Sequence, residues 1–252
     1  VNFNSDKLFV LNKKYSSDEY YYGVGFIDGS INLKGPAKDL LIKVEAKTQE
    51  GTQINIPRSQ NFNLESFSFI EFIDKKSIND VSNLSINETY INNKGLDISI
   101  DLEIDNNADI EITIDTENGS YLSGKGLGNL LMEIDTDGKF NIYGDFSTTE
   151  GIYNFKNLGV IDKKFNVKSG GTIVWDGDPL QAQMDIEATY EVPGGSNPAL
   201  LLDNPNFNKK IPTVVQINLK GDLVKPDNPD FEIFFPNTSS TVTSEINYKL
   251  ID

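Results

Sequence analysis

From Leu96 the chain alternates strictly: Leu96, Ile98, Ile100, Leu102 and Ile104 are apolar, and Asp97, Ser99, Asp101, Glu103 and Asp105 are polar. A period of two places every apolar side chain on one face of an extended strand, so this stretch predicts a strand with one dry and one wet face. The rule returns at Ile110, Ile112 and Ile114, and Asn106-Asn107 supplies turn chemistry between the runs, which predicts an antiparallel hairpin. Alternation resumes at Phe140, Ile142, Gly144 and Phe146, at Met184, Ile186, Ala188 and Tyr190, and at Val215, Ile217 and Leu219. Between the runs lie Glu117-Asn118-Gly119, Asp135-Thr136-Asp137-Gly138, Ser169-Gly170-Gly171 and Asp176-Gly177-Asp178-Pro179, the residue types that tight turns require. The chain therefore reads as all-β.

Two stretches interrupt the rhythm. Residues 74–94 are polar and rich in Asn and Ser, predicting a long surface excursion with a short helix near Ile78. Residues 193–212, with Gly194-Gly195, Asn197-Pro198 and Asn204-Pro205, predict a second long loop. Strands of the same character resume after each, so residues 1–252 read as one domain. The string Ile31-Asn32-Leu33-Lys34-Gly35 recurs as Ile217-Asn218-Leu219-Lys220-Gly221, which is how a serially extended sheet is written.

Composition narrows the chemistry. With 22 Lys and Arg against 38 Asp and Glu, the formal charge is −16, the wrong sign for phosphate backbones, so no nucleic acid is expected. The chain has no Cys and no His, which removes thiolate chemistry and the usual neutral-pH acid–base group. Gly124-Lys125-Gly126-Leu127-Gly128-Asn129 looks like a phosphate loop, but Leu130 to Ile134 continues as strand where such a loop needs a helix. Glu133, Asp135, Asp137 and Gly138 imitate half a calcium loop, yet Gly144 stands where the closing carboxylate belongs. No carboxylate pair stands apart from the solvated strand faces. The expectation is a protein that is not an enzyme, with no metal and no cofactor. Trp175, the single Trp, reads as an apolar plug at a strand end rather than a platform for a base or sugar. No apolar run reaches 18 residues, so no helix of this sequence spans a bilayer.

The dry faces must be covered by something, and no long amphipathic helix is available. A closed β-sandwich or small barrel, a transmembrane barrel and a sheet folded lengthwise into a trough all satisfy the alternation. The transmembrane barrel fits least, because strands such as Ile110 to Ile114 are short for a span and no aromatic girdles are evident.

A resemblance separates the others. Gly124 to Asn129, Met132-Glu133-Ile134, Gly138 to Phe146, Glu150 to Phe155, Lys164 to Val167, Gly170 to Pro179 and Asp185 to Ala188 resemble the C-terminal region of the TamB proteins of diderm bacteria. Leu219-Lys220-Gly221 with Pro226 and Phe231-Glu232-Ile233 also fit, as do Gly35-Pro36, Ala46-Lys47-Thr48 and Gly51 upstream. The resemblance implies an elongated, curved, taco-like β-sheet with an apolar open groove, part of a periplasm-spanning bridge that carries phospholipid between inner and outer membranes. It also implies a role in outer-membrane biogenesis and an Omp85-type barrel partner, TamA-like or BamA-like. Two departures stand out: the family's N-terminal membrane helix is not in these residues, and Tyr248 to Asp252 ends short of the usual family C-terminus. The inner-membrane anchor is therefore expected outside this segment.

On that reading phospholipid acyl chains lie against Leu96, Ile98, Ile100, Leu102, Ile104, Ile110, Ile112, Ile114, Met132, Ile134, Phe140, Ile142, Phe155, Ile173, Trp175, Met184, Ile186, Val215, Ile217 and Leu219. A docking scaffold for an outer-membrane barrel and a carbohydrate-binding or adhesin-like sandwich, using Tyr20, Tyr21 and Tyr22, are the rival functions.

Overall fold

The computed structural model describes residues 1–16, 21–36, 39–57, 95–136, 139–198, 202, 208–223 and 229–251. Alternating sequence becomes strand throughout: β1 (Asn2–Lys13), β2 (Tyr22–Lys34), β3 (Leu40–Thr48), β4 (Thr52–Ile56), β5 (Leu96–Ile104), β6 (Ala108–Asp115) and β7 (Ser120–Ile134). The series continues with β8 (Phe140–Asn157), β9 (Ile161–Val167), β10 (Thr172–Gly177), β11 (Gln183–Glu191), β12 (Val214–Asp222) and β13 (Asp230–Phe234). All thirteen strands belong to one curved sheet that is not a closed barrel. Among the described residues the chain is all-β apart from a short turn of 3-10 helix and a terminal helix, α1 (Ser240–Ile251).

The thirteen strands make ten rows, because three rows are broken in the middle. Strands β3 and β4 both lie antiparallel along the same edge of β2, one against Ile27–Lys34 and the other against Tyr22–Val24. Strands β5 and β6 lie end to end in the next row, antiparallel to the two halves of β7. Strands β9 and β10 do the same along β8. The predicted hairpin between Leu96–Ile104 and Ile110–Ile114 is thus not formed: the two runs are collinear and pair with their neighbours, not with each other.

Residues 105–107 turn a corner rather than reverse the chain. The Asp105 carboxylate accepts from the Asn107 amide (2.9 Å), the Asn107 side chain (2.9 Å) and the Thr48 hydroxyl (3.0 Å), which ties the corner to the adjoining row. The rows β3–β4 and β5–β6 are parallel, the one parallel joint in an otherwise antiparallel order among the described residues. A parallel neighbour needs a long crossover. Residues 57–95 stand between β4 and β5 in the sequence, and the predicted excursion and helix near Ile78 fall outside the described residues.

The breaks line up across the sheet into a crease. At β3–β4 the Thr52 hydroxyl donates to the Gln49 carbonyl (2.7 Å) and accepts from the Phe26 amide (3.0 Å). Between β7 and β8 the register shifts at Lys125/Gly126, and the residue inserted on β8, Thr149, donates to the Asn106 side chain at 2.7 Å. At β9–β10 the Thr148 hydroxyl donates to the Lys168 carbonyl (3.1 Å), and the Gly170 amide to the Thr148 carbonyl (2.8 Å). The bulge on β8 has a specific effect. One inserted residue swaps strand faces, so Tyr153 and Phe155 share the side of Ile142 and Phe146 despite their odd spacing. The crease divides the sheet into a longer arm (β3, β5, the end of β7, the start of β8, β10) and a shorter arm (β4, β6, the start of β7, the end of β8, β9).

The inner faces of the two arms meet in one apolar cluster that includes Ile112, Leu122, Phe146, Tyr153, Phe165, Ile173, Ile186 and Ile217. Phe155 and Phe231 lie four rows apart in the sheet, yet their rings are 5.5 Å apart, so the sheet curls strongly here. Gly126 faces this interior, and a Cβ there would run into the Phe146 ring and the Ser147 carbonyl. Glycine lets β7 pass under the aromatic ring at the crease.

The second predicted loop is irregular where it is described, and a bridge between Ser196 and Ile211 pins its ends. A small second cluster of Leu202, Phe235 and Ile246 fixes α1 against it.

Candidate functional site

Cross-strand register arranges the inner face of the longer arm into rungs that run from strand to strand. The outermost rung is Leu33, Ile42, Ile98, Ile134 and Phe140, on β2, β3, β5, β7 and β8. The next is Phe3, Ile31, Val44, Ile100, Met132 and Ile142, beginning on β1. The third is Gly29, Ala46, Leu102, Leu130, Gly144 and Trp175. At the crease the fourth is Ile104, Gly128, Phe146, Ile173 and Met184.

Burial deepens in that order. Every member of the outermost rung is half-buried, as are Ile31, Val44, Ile100, Met132 and Ile142, while Phe3 at the edge is 54% exposed. In the fourth rung Ile173 and Met184 are only 2% and 3% exposed. The space left between Ile112, Leu122, Phe146, Val167 and Ile173 is about 20 Å³, too small for any part of an alkyl chain longer than a single small group. The interior is therefore a trough with a sealed floor and half-open lips.

The predicted lining divides along this gradient. Ile104, Ile112, Ile114, Ile173, Met184, Ile186, Ile217 and Leu219 are buried in the sealed cluster. Leu96, Ile98, Ile100, Leu102, Met132, Ile134, Phe140, Ile142 and Trp175 are half-buried on the longer arm, and Ile110, Phe155 and Val215 are half-buried elsewhere on the inner face. All share one face of one sheet. Ile31, Leu33, Ile42 and Val44 were missing from the expected lining. Their signal was present in Leu40, Ile42, Val44 and Ala46 alternating with Leu41, Lys43, Glu45 and Lys47, and only Leu41 blurs it.

Other sequence candidates fall into place. Gly124 to Asn129 is interior to β7, with no helix after it. Asp135 accepts from the Lys139 amide at 2.9 Å in the β7–β8 turn, whereas Asp137 and Gly138 lie outside the described residues. Trp175 is half-buried and packs on the main cluster. Tyr20 lies outside the described residues; Tyr21 and Tyr22 are half-buried, and the Tyr22 ring meets Tyr15 edge-on at 5.3 Å.

Two perturbed groups lie at the crease and in the sealed floor. Burial pushes the Asp105 carboxyl up, but its hydrogen bonds from Asn107 and Thr48 and the nearby Lys47 ammonium prevail and hold it below the usual carboxylate value. Burial pushes the Tyr153 hydroxyl up to about 12, with a hydrogen bond to Ser120 pulling the other way. A broader hollow of about 690 Å³ has a mixed lining, with Gln53, Asp109, Glu111 and Lys125 beside Ile54, Ile110, Ile152 and Val167.

An open-edged, curved sheet with an apolar inner face now stands beside one comparison. The TamB C-terminal domain matches residues 1–248. The chain belongs to the TamB family. Membership ties it to the translocation and assembly module that serves outer-membrane assembly, where TamB proteins span the periplasm and work with an Omp85-type partner, TamA. No curated protein matches the chain. Among the described residues no helix is long and apolar enough to cross a membrane. For a TamB chain the trough is the candidate site, and its walls are apolar side chains.

Proposed function

We propose that the half-open rungs of the longer arm hold phospholipid acyl chains, and that this segment is one stretch of a conduit between the two membranes of a diderm envelope. The observation that supports it is the gradient from half-exposed Ile98, Ile100 and Ile142 to the sealed floor. A floor is closed by packing, whereas the lips keep apolar surface in contact with whatever enters. Each methylene removed from water contributes about 0.8 kcal/mol, so one tail of about sixteen carbons gains on the order of 10 kcal/mol before ordering costs. The outermost rung crosses five rows, a span of roughly 19 Å at the usual strand spacing, which suits an extended tail laid across the strands. The rungs are chemically uniform, so a tail slides without a deep trap. Direction must come from supply and removal at the ends.

Photo-crosslinking from Ile100 and Ile142 in intact cells tests the reading. Lipid adducts at these two positions and none at Ile186 or Ile217 are expected. Adducts only to other strands of the same chain would overturn it.

A second reading is favoured by β13. Among the described residues this strand pairs only with β12 and leaves Phe231, Ile233 and Phe234 exposed, so its outer edge offers backbone groups to a strand of the Omp85-type partner. Glu232→Pro removes one donor from that strand, and capture of the partner should fall if the edge is used.

A further inference from the structure

The hairpin between β8 and β9 ends in Leu158-Gly159-Val160, and its chemistry runs against its conformation. Leu158 has φ +50° and Gly159 has φ +67°. The first of these positions ordinarily selects Asn, Asp or Gly, because an L side chain with a bulky Cγ is disfavoured there. Leu158 and Val160 are nonetheless 83% and 87% exposed, and Ile161 beside them is 41% exposed. A Cβ added at Gly159 would have nothing within 4 Å, so the tip projects free of the sheet.

The tip is also prepared for a dry environment. The Leu158 amide donates to the Asn118 side-chain oxygen at 3.0 Å, and the Val160 amide donates to the Asn157 carbonyl at 3.1 Å. Two backbone donors that would be costly in hydrocarbon are thus satisfied inside the protein. Behind the tip, Lys156 and Lys164 stand with Asp162, the Lys163 ammonium lies 5.6 Å over the Tyr190 ring, and the neighbouring turn contributes Asp115 and Glu117. These charges nearly cancel, so apolar burial rather than charge drives what the tip does. The long lysine stems can extend toward headgroups while the aliphatic residues lie deeper.

We infer that the Leu158-Gly159-Val160 tip inserts into the surface of a lipid bilayer and holds this part of the chain against it. A projecting tip can be surrounded on all sides by fluid hydrocarbon, whereas a flat protein surface covers only one side of it. The assignment does not depend on the trough, since its residues lie on a different part of the molecule.

The test uses the full chain and vesicles of phosphatidylethanolamine and phosphatidylcholine, which carry no net charge and so add no long-range repulsion to a chain of formal charge −16. Leu158→Asn combined with Val160→Ser should lower vesicle co-sedimentation at least about tenfold, because two buried aliphatic groups are lost. Its thermal midpoint should stay level or rise, since Asn suits the left-handed conformation. Added salt should change binding of the unaltered chain less than about twofold. The sequence contains no Cys, so Leu158→Cys accepts a single environment-sensitive dye, which brominated lipid should quench in the bound protein. Unchanged sedimentation of the double variant, or an unquenched dye on sedimented protein, would overturn the inference. So would a photoreactive group at position 158 that captures a protein and no lipid in cells. Uptake of acyl probes by the trough, measured without vesicles, should be unaffected by the tip variants, which keeps failure of one proposal distinct from failure of the other.

Discussion

The outer rungs of the longer arm and the rows at the crease are written in the same alternating code, yet they end in different states. Ile98 and Ile100 remain half-exposed, whereas Ile186 and Ile217 are completely buried. Side-chain type does not separate them, since all four are isoleucines on one face of one sheet. Position relative to the crease does: near it the arms are close enough for opposing side chains to interdigitate, and away from it they are not.

The sharpest way to break the comparison is truncation on the two sides. Ile186→Ala should cost about 2–5 kcal/mol in denaturant unfolding, the usual consequence of a cavity in a packed core. If that loss were no larger than at an outer rung, the sealed floor would be refuted.

Alkali probes the same floor through Tyr153. Its folded hydroxyl titrates at about 12, above the ordinary value of 10.0, so the unfolded chain releases this proton first as pH rises. Stability should hold below pH 10 and fall by roughly 2 kcal/mol between pH 10 and pH 12, while Tyr153→Phe should flatten that slope. Thermal melts across this range report it.

The crease itself is tested at Asp105. Replacing it by Asn removes a charged acceptor for the Thr48 and Asn107 groups and should cost about 1–2 kcal/mol at neutral pH. The Asp105 carboxyl is held below its usual value, so its contribution is present above the ordinary carboxylate range and disappears as pH falls through the lowered one. The difference between the two proteins should therefore narrow in acid.

The smallest stability effect belongs to the lips. Ile98→Ser should cost about 1 kcal/mol, less than Ile186→Ala, because the side chain is only half-buried. Displacement of a fluorescent fatty-acyl probe should nevertheless weaken measurably. A variant that lost stability without losing probe binding would erase the functional distinction between lips and floor.

Much of this was legible in the sequence. Alternation located the apolar faces of five strands, β5, β6, β8, β11 and β12, through runs such as Leu96–Ile104 and Met184–Tyr190, and it put their apolar residues on a common side. The repeated pentapeptide proved to be structurally equivalent at its end, since Gly35 and Gly221 close the two copies with φ of +101° and +93°. Corners were not legible. Asn106-Asn107 carries the same turn chemistry whether the chain reverses or merely steps, and the choice was made by Thr48 in a neighbouring row, 57 residues away from Asp105. The division of the lining into floor and lips was equally hidden, because it depends on how close two arms come. Helix α1 was missed as well. Ser239 precedes it and its carbonyl accepts from the Thr243 amide, but the helix is too weakly amphipathic to announce itself by periodicity.

The ten rows carry one more implication. Each hydrogen-bonds to the rows beside it, so adding a row would lengthen the sheet by about 4.8 Å. Such an architecture would set the length of the sheet by counting strands, separately from the side-chain packing across its crease.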